Sequence, residues 1–305
     1  EETCTTIGLN VDPVNDAPYF ASEMHAPVGV NMEFHLPLDV MDVDSEELVI
    51  TLNESETNPA WVMITDHTLH GTPDMLGEYP VHLSLTDGQE TTLGTFILHV
   101  VNFIPLITSI TDIPNDQGGR VYLSFEASFL DNGDLTGQSY SLFRYDQLEV
   151  DSSGWVSLSS IDAISDPSYT FEAETLMDST SESDGYTEFK IVASMNNGIF
   201  HSNPMMGYSV DNIAPEVPGD LIAVVMNDNI ILTWSENTDS DFEHFILEKS
   251  TNMNFLSSEI IEISEAGYID MNFTVNQTNY YRIAAMDYAG NTSEYSEIVE
   301  AAVLS

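Results

Sequence analysis

Positive charge is almost missing from this chain. Arg120, Arg144, Lys190, Lys249 and Arg282 are its five cations, set against 51 acids in 305 residues, for a formal net charge of -46. Nucleic acid and anionic membrane surfaces bind through basic patches, so both are poor partners. Self-repulsion of this size favours a medium rich in salt or calcium, such as seawater. Cysteine is reduced to Cys4, which excludes an internal disulfide and a zinc cluster. No apolar run approaches the ~20 residues that span a bilayer, and the acidic, polar start is unlike a signal peptide, so any export signal is expected elsewhere in a longer parent. Helical periodicity never persists beyond about two turns.

What remains is strand. Apolar residues make up 42% of the chain, in runs that recur between Asn, Asp, Gly and Pro clusters. Above roughly 250 residues a single core usually divides, and an all-β fold of tandem β-sandwiches in an elongated array is expected. Thr5 to Val11 alternates Ile7, Leu9 and Val11 with polar residues. One strand cannot fold alone, so residues 1–12 are read as the last strand of a truncated preceding domain. Asn102-Phe103-Ile104-Pro105 and Asp211-Asn212-Ile213-Ala214-Pro215 mark two later breaks, giving domains over 13–103, 104–213 and 214–305.

Residues 12–20, Asp-Pro-Val-Asn-Asp-Ala-Pro-Tyr-Phe, resemble the calcium-binding linker between cadherin-like sandwiches. The domain that follows carries Pro59-Ala60-Trp61, Gly71-Thr72-Pro73 and Thr86-Asp87-Gly88 in order, and is similar to the bacterial cadherin-like, dystroglycan-type Ig-like family. Leu232-Thr233-Trp234, Phe245 to Lys249 and Tyr280 to Ser296 resemble strands B, C and F–G of fibronectin type III. Asn279 departs from that pattern, standing where the family places a tyrosine that ties a corner to the backbone. Residues 104–213 look like a divergent fibronectin III-like relative, in which the acidic stretch 178–184 reads as a loop.

Calcium takes about six to eight oxygens from several segments. The cadherin-like resemblance implies ligands at Asp12, Asn15 and Asp16 in the linker, Asp42 and Asp44 in "MDVDSEE", and Asp87 in the Thr-Asp-Gly turn. The second break repeats the arrangement with Asp211 and Asn212, then Asp239 and Asp241, then Asp287, and the separation of Asp211 from Asp239 equals the 28 residues between Asp16 and Asp44. Asp and Asn also favour turns with no metal present. The first break has no acid between Glu90 and Asp112, and a calcium-free, more flexible joint is expected there.

Catalysis finds no support in the motifs. There is no Gly-x-Ser-x-Gly elbow, no Cys with a His partner and no phosphate loop. His67 and His70 flank a turn, and His35, His82 and His99 lie in strands without a third zinc ligand. Trp61, Trp155 and Trp234 are assigned to a turn, a strand start and a core. The expectation is a non-catalytic structural or adhesive spacer of a secreted or cell-surface, bacterial modular protein, with calcium-rigidified linkers. Its partners would be neighbouring domains of the same chain, surface glycans or other adhesins, with no nucleic acid and no membrane insertion. The alternative is a carbohydrate- or ligand-binding accessory region of a larger extracellular enzyme.

Overall fold

The computed structural model describes residues 14–133, 137–149 and 152–304, all in strands, turns and loops with no helix. The expected strand at Thr5–Val11, Cys4 and Asp12 lie outside the described residues.

Three separate apolar clusters organise the chain. Around the first run β1 (Tyr19–Phe20), β2 (His25–Gly29), β3 (Phe34–Pro37), β4 (Val40–Met41), β5 (Val49–Leu52), β6 (Val62–Thr65), β7 (Thr68–Gly71), β8 (Gly77–Thr86) and β9 (Thr91–Val101). A four-stranded sheet β2-β9-β8-β5, in which β2 runs parallel to β9, faces a three-stranded sheet β3-β7-β6. Period-two alternation builds the core: Val81, Leu83 and Leu85 of β8 and Phe96, Leu98 and Val100 of β9 point inward, while the residues between them face out. The Gly-Thr-Pro and Pro-x-Trp turns need each other. A Cβ on Gly71 would sit 2.2 Å from the carbonyl oxygen of Trp61, so glycine is what lets the two segments close. Trp61 then packs edge-on against Phe34 and Tyr79.

The second cluster is enclosed by β10 (Leu106–Asp112), β11 (Arg120–Glu126), β12 (Ser139–Glu149), β13 (Ser152–Asp162), β14 (Ser168–Glu174), β15 (Thr187–Met195), β16 (Gly198–His201) and β17 (Met205–Gly207). The third is enclosed by β18 (Ile222–Met226), β19 (Asn229–Thr233), β20 (Phe242–Ser250), β21 (Glu259–Ile263), β22 (Tyr268–Asp270), β23 (Thr278–Asp287) and β24 (Val299–Ala302). The two share one strand order: β10-β11-β14 matches β18-β19-β22, and β13-β12-β15-β16 matches β21-β20-β23-β24. Acidic residues 178–184 are not a free loop throughout. Asp178 Oδ1 accepts from Gly119 N at 2.6 Å and from Ser209 Oγ at 2.6 Å. Gly118 and Gly119, at φ 70° and 74°, turn the backbone toward it.

Where acids are absent, between the first and second clusters, the chain places an aromatic wedge. Phe103 lies near Gly29 and Met32 on one side and meets the Phe200 ring at 5.7 Å on the other, while Phe129 N donates to Asn102 O at 3.0 Å. An aromatic contact therefore lies at the joint for which the sequence suggested looseness.

Asn279 fastens the corner ahead of β23 with its own side-chain amide. Only 5% exposed, it accepts from Thr274 N at 2.9 Å and donates to Thr274 O at 3.0 Å and Gln277 O at 3.3 Å. Replacing Asn279 with Ala removes three hydrogen bonds from a buried side chain to Thr274 and Gln277, and is expected to lower stability by about 1–2 kcal/mol in urea unfolding. An unchanged midpoint would mean that the amide does not fasten the corner.

Candidate metal centres

Two groups of acids lie at the sheet ends. In the first, short loops aim the side chains. Asp42 Oδ1 accepts from Asp44 N at 2.9 Å and Ser45 N at 3.0 Å, and Asp87 Oδ1 accepts from Gln89 N and Glu90 N at 2.7 Å each. The linker closes on both: Asn15 Nδ2 donates to Asp87 Oδ2 at 2.8 Å, and Asp16 N to Asp44 Oδ2 at 3.2 Å. The structure thus brings Asn15, Asp16, Asp42, Asp44 and Asp87 to one end of the sandwich, and Asp12 lies outside the described residues.

The electrostatics show how crowded this end is. The backbone N–H of Asp44 holds the Asp42 carboxyl below its ordinary value, whereas Asp44 is pushed up by the proton it shares with Asp42. Asp87 is held low, first by the Glu90 N–H and then by the Asn15 amide. Asp42 Oδ2 is buried without a donor.

The second group crosses from the second sandwich to the third. Asp211 is anchored to the second, where it bridges to Gln117 and where Asn212 N donates to Asp116 O at 3.1 Å. Asp287 ends β23, and Asp241 immediately precedes β20. Oxygens of Asp211, Asp241 and Asp287 lie within 4.8 Å of one another. Asp287 is 0% exposed and Asp211 7%, and Asp241 Oδ2 is buried with no hydrogen-bond partner. Burial raises the Asp211 carboxyl above its ordinary value, helped by the charges of Asp287, Asp241 and Asp178.

Asp239 and Asn212 do not join them. Asp239 Oδ2 caps Glu216 N at 3.0 Å, and Asn212 is spent within the second sandwich, donating to Asp112 Oδ2 at 2.9 Å and accepting from Asp116 N at 3.1 Å. A residue that the sequence reasoning missed is Asn291. Its Nδ2 donates to Asp287 Oδ2 and to Asp211 O, both at 3.0 Å, stitching the two sandwiches together. The signal was present in "DYAGN", where an Asp, a Gly at φ 92° and an Asn close a tight turn. Both groups offer only oxygen donors, which suits a hard divalent cation.

The remaining polar residues carry structural contacts. The His35 and His70 rings stack at 5.7 Å, His67 Nε2 lies 2.9 Å from Leu48 O, and His82 Nδ1 lies 3.1 Å from Thr95 Oγ1. Trp234 packs edge-on against Phe245 in the third core. Among the described residues no helix is long and apolar enough to cross a membrane.

No family model matches the chain, and no curated protein matches it in sequence. Among solved structures, the chain is similar to domains A168–A170 of titin at 15% identity and a TM-score of 0.38, covering 95% of this chain and 99% of that one. It is similar to the FN1–FN3 domains of chicken CNTN1 at 12% identity and a TM-score of 0.32, covering 95% and 100%. A Fn3-like protein from Clostridium thermocellum is similar at 22% identity and a TM-score of 0.26, covering 30% and 94%.

The raised Asp211 carboxyl fixes the sign of a pH effect. The folded chain holds this proton more tightly than the unfolded chain, so the stability it contributes is present at low pH and is lost as pH rises through the folded value. In chelator, Asp211→Asn is expected to flatten that loss as pH rises above the ordinary carboxylate range of about 4, measured by urea unfolding. A steeper loss in the variant would show that the ionised carboxylate is favoured in the fold.

Proposed function

We propose that this chain is a non-catalytic, structural or adhesive segment of an extracellular or cell-surface modular protein, in which calcium stiffens the connection between successive β-sandwiches. One observation carries the reading: Asp211 of the second sandwich meets Asp241 and Asp287 of the third, with oxygens within 4.8 Å and no cation among their partners. Three like charges held together repel unless protons or a cation neutralise them. A divalent ion supplies two positive charges at once and needs ligands from both sandwiches, so binding favours one relative orientation. Asp42, Asp44, Asp87, Asn15 and Asp16 offer a second, looser set of oxygens at one end of the first sandwich. Neighbouring domains of the same chain are the first partners of such a segment, with surface glycans or other adhesins beyond them.

A glycan-binding role gains less support. The face of Trp155, a residue suited to stacking on sugar rings, carries the Lys190 ammonium 4.3 Å from its centre.

Thermal unfolding in calcium against chelator, at fixed high sodium chloride, tests the reading. For an extracellular-type Kd on the order of 10⁻⁴ M, a hundredfold excess of calcium stabilises by roughly 2.7 kcal/mol. Asp241→Asn/Asp287→Asn is expected to remove the shift arising at the joint, and Asp42→Ala/Asp44→Ala any shift arising at the first end. Equal melting in calcium and chelator would leave these carboxylates as turn residues and the chain as a plain spacer.

A further inference from the structure

The third sandwich places one of the chain's five cations inside its core. Along β20 the inward positions are Phe245, Leu247 and then Lys249, whose side chain is only 12% exposed. The pairing sets Tyr281 of β23 on one side of Lys249 and Glu259 of β21 on the other. Across the interior, on the opposite sheet, β22 presents Asp270, which is 0% exposed. Lys249 Nζ lies 3.1 Å and 3.3 Å from the two oxygens of Asp270 and 3.2 Å from Glu259 Oε2. The Tyr281 hydroxyl, fully buried, donates to Asp270 Oδ2 at 2.8 Å. A buried ion pair is seldom more stabilising than apolar residues of the same volume, so its place in this core invites another explanation.

We propose that Lys249 and Asp270 condense into an amide that joins the two sheets of the third sandwich covalently.

The chemistry closes without any outside reagent. The Lys249 ammonium passes a proton along its 3.1 Å hydrogen bond to Asp270 Oδ1, and the freed Nζ lone pair attacks Cγ of the now neutral acid. Tyr281 steadies the negative charge that develops on the oxygen it already contacts, the role of a preplaced donor at a tetrahedral intermediate. Glu259 then takes a second proton from Nζ and delivers it to the Oδ1 hydroxyl, which leaves as water. One C–N bond forms and one C–O bond breaks. An ammonium and a carboxylate become a neutral secondary amide plus one water, with no oxidation or reduction. Nζ and Cγ are already held in contact beside a fully buried carboxyl, which supplies the proximity such a step requires.

The resting pair is ionic. Burial opposes the ammonium, but hydrogen bonds to Asp270 and Glu259 outweigh it and hold Lys249 above the ordinary lysine value. The reactive amine must therefore arise by proton transfer within the group, which makes Glu259 the positioning and proton-carrying residue. Its side chain is 62% exposed, so it can be changed without disturbing the core.

Intact mass of the full chain under denaturing conditions reads the outcome directly. The expected result is a chain lighter than its sequence by one water, with a proteolytic product in which the peptides bearing Lys249 and Asp270 are joined. Lys249→Arg and Asp270→Ala should return to full sequence mass, and Glu259→Gln should remain wholly or mostly unjoined while still folded by circular dichroism. A parent chain at full sequence mass after prolonged incubation overturns the proposal and leaves an ion pair. A lost water that persists in Lys249→Arg also overturns it, since an aspartate cyclising on its own backbone would then be the source.

Discussion

Carboxylates without cations are the constraint on which the rest of the molecule depends. With 51 acids and five cations, ion pairing cannot satisfy the acids that folding draws inward. The chain turns to backbone N–H groups instead. Asp42 and Asp87 each accept two of them in tight loops, Asp131 accepts one from its own loop and one from Ser165, and Asp178 accepts one across a glycine pair. Free N–H groups occur at strand ends, because sheet interiors use theirs in the ladders. Acids therefore gather at sandwich ends, and between the second and third sandwiches they face each other across the joint.

The two described joints resolve that problem differently. Between the first and second sandwiches the acids are absent and Phe103 fills the gap, a contact indifferent to ions. Between the second and third, Asn291 and three carboxylates converge, and what they prefer depends on protons and cations. One connection is built of aromatic packing and the other of crowded carboxylates.

Much of this fold can be read from alternation. Val81, Leu83, Leu85 and their counterparts announce themselves by period two, and the turn motifs mark strand ends, since both signals are local in sequence. Convergence of acids is not local. Asp239 and Asp241 stand two residues apart in one loop, yet one caps Glu216 N and the other enters the joint. The same spacing of 28 residues brings Asp16 and Asp44 into contact but leaves Asp239 apart from Asp211. Spacing says that the chain has returned to the right end of a sandwich, while the side-chain direction within the last loop decides the ligand set. Asp178 was illegible for a related reason, because its partners Gly119 and Ser209 come from distant segments.

The cores of the second and third sandwiches end in a common device with different completions. In the second, the hydroxyls of Tyr140 and Tyr169 both donate to Asp131, whose other oxygen is covered by Gly133 N and Ser165 N. In the third, Tyr281 donates to Asp270, but the carboxylate has only Asn272 N from the backbone and reaches Lys249 for the rest. Asp131 sits in a loop, where two N–H groups are free to turn toward it. Asp270 closes a strand with Ile230 opposite, so ladder pairing limits what the backbone can give. A fully buried acid in that position needs a cation or must cease to be an acid. In a chain with so few cations, the presence of Lys249 at this point is the clearest sign that the interior of the third sandwich is built around Asp270.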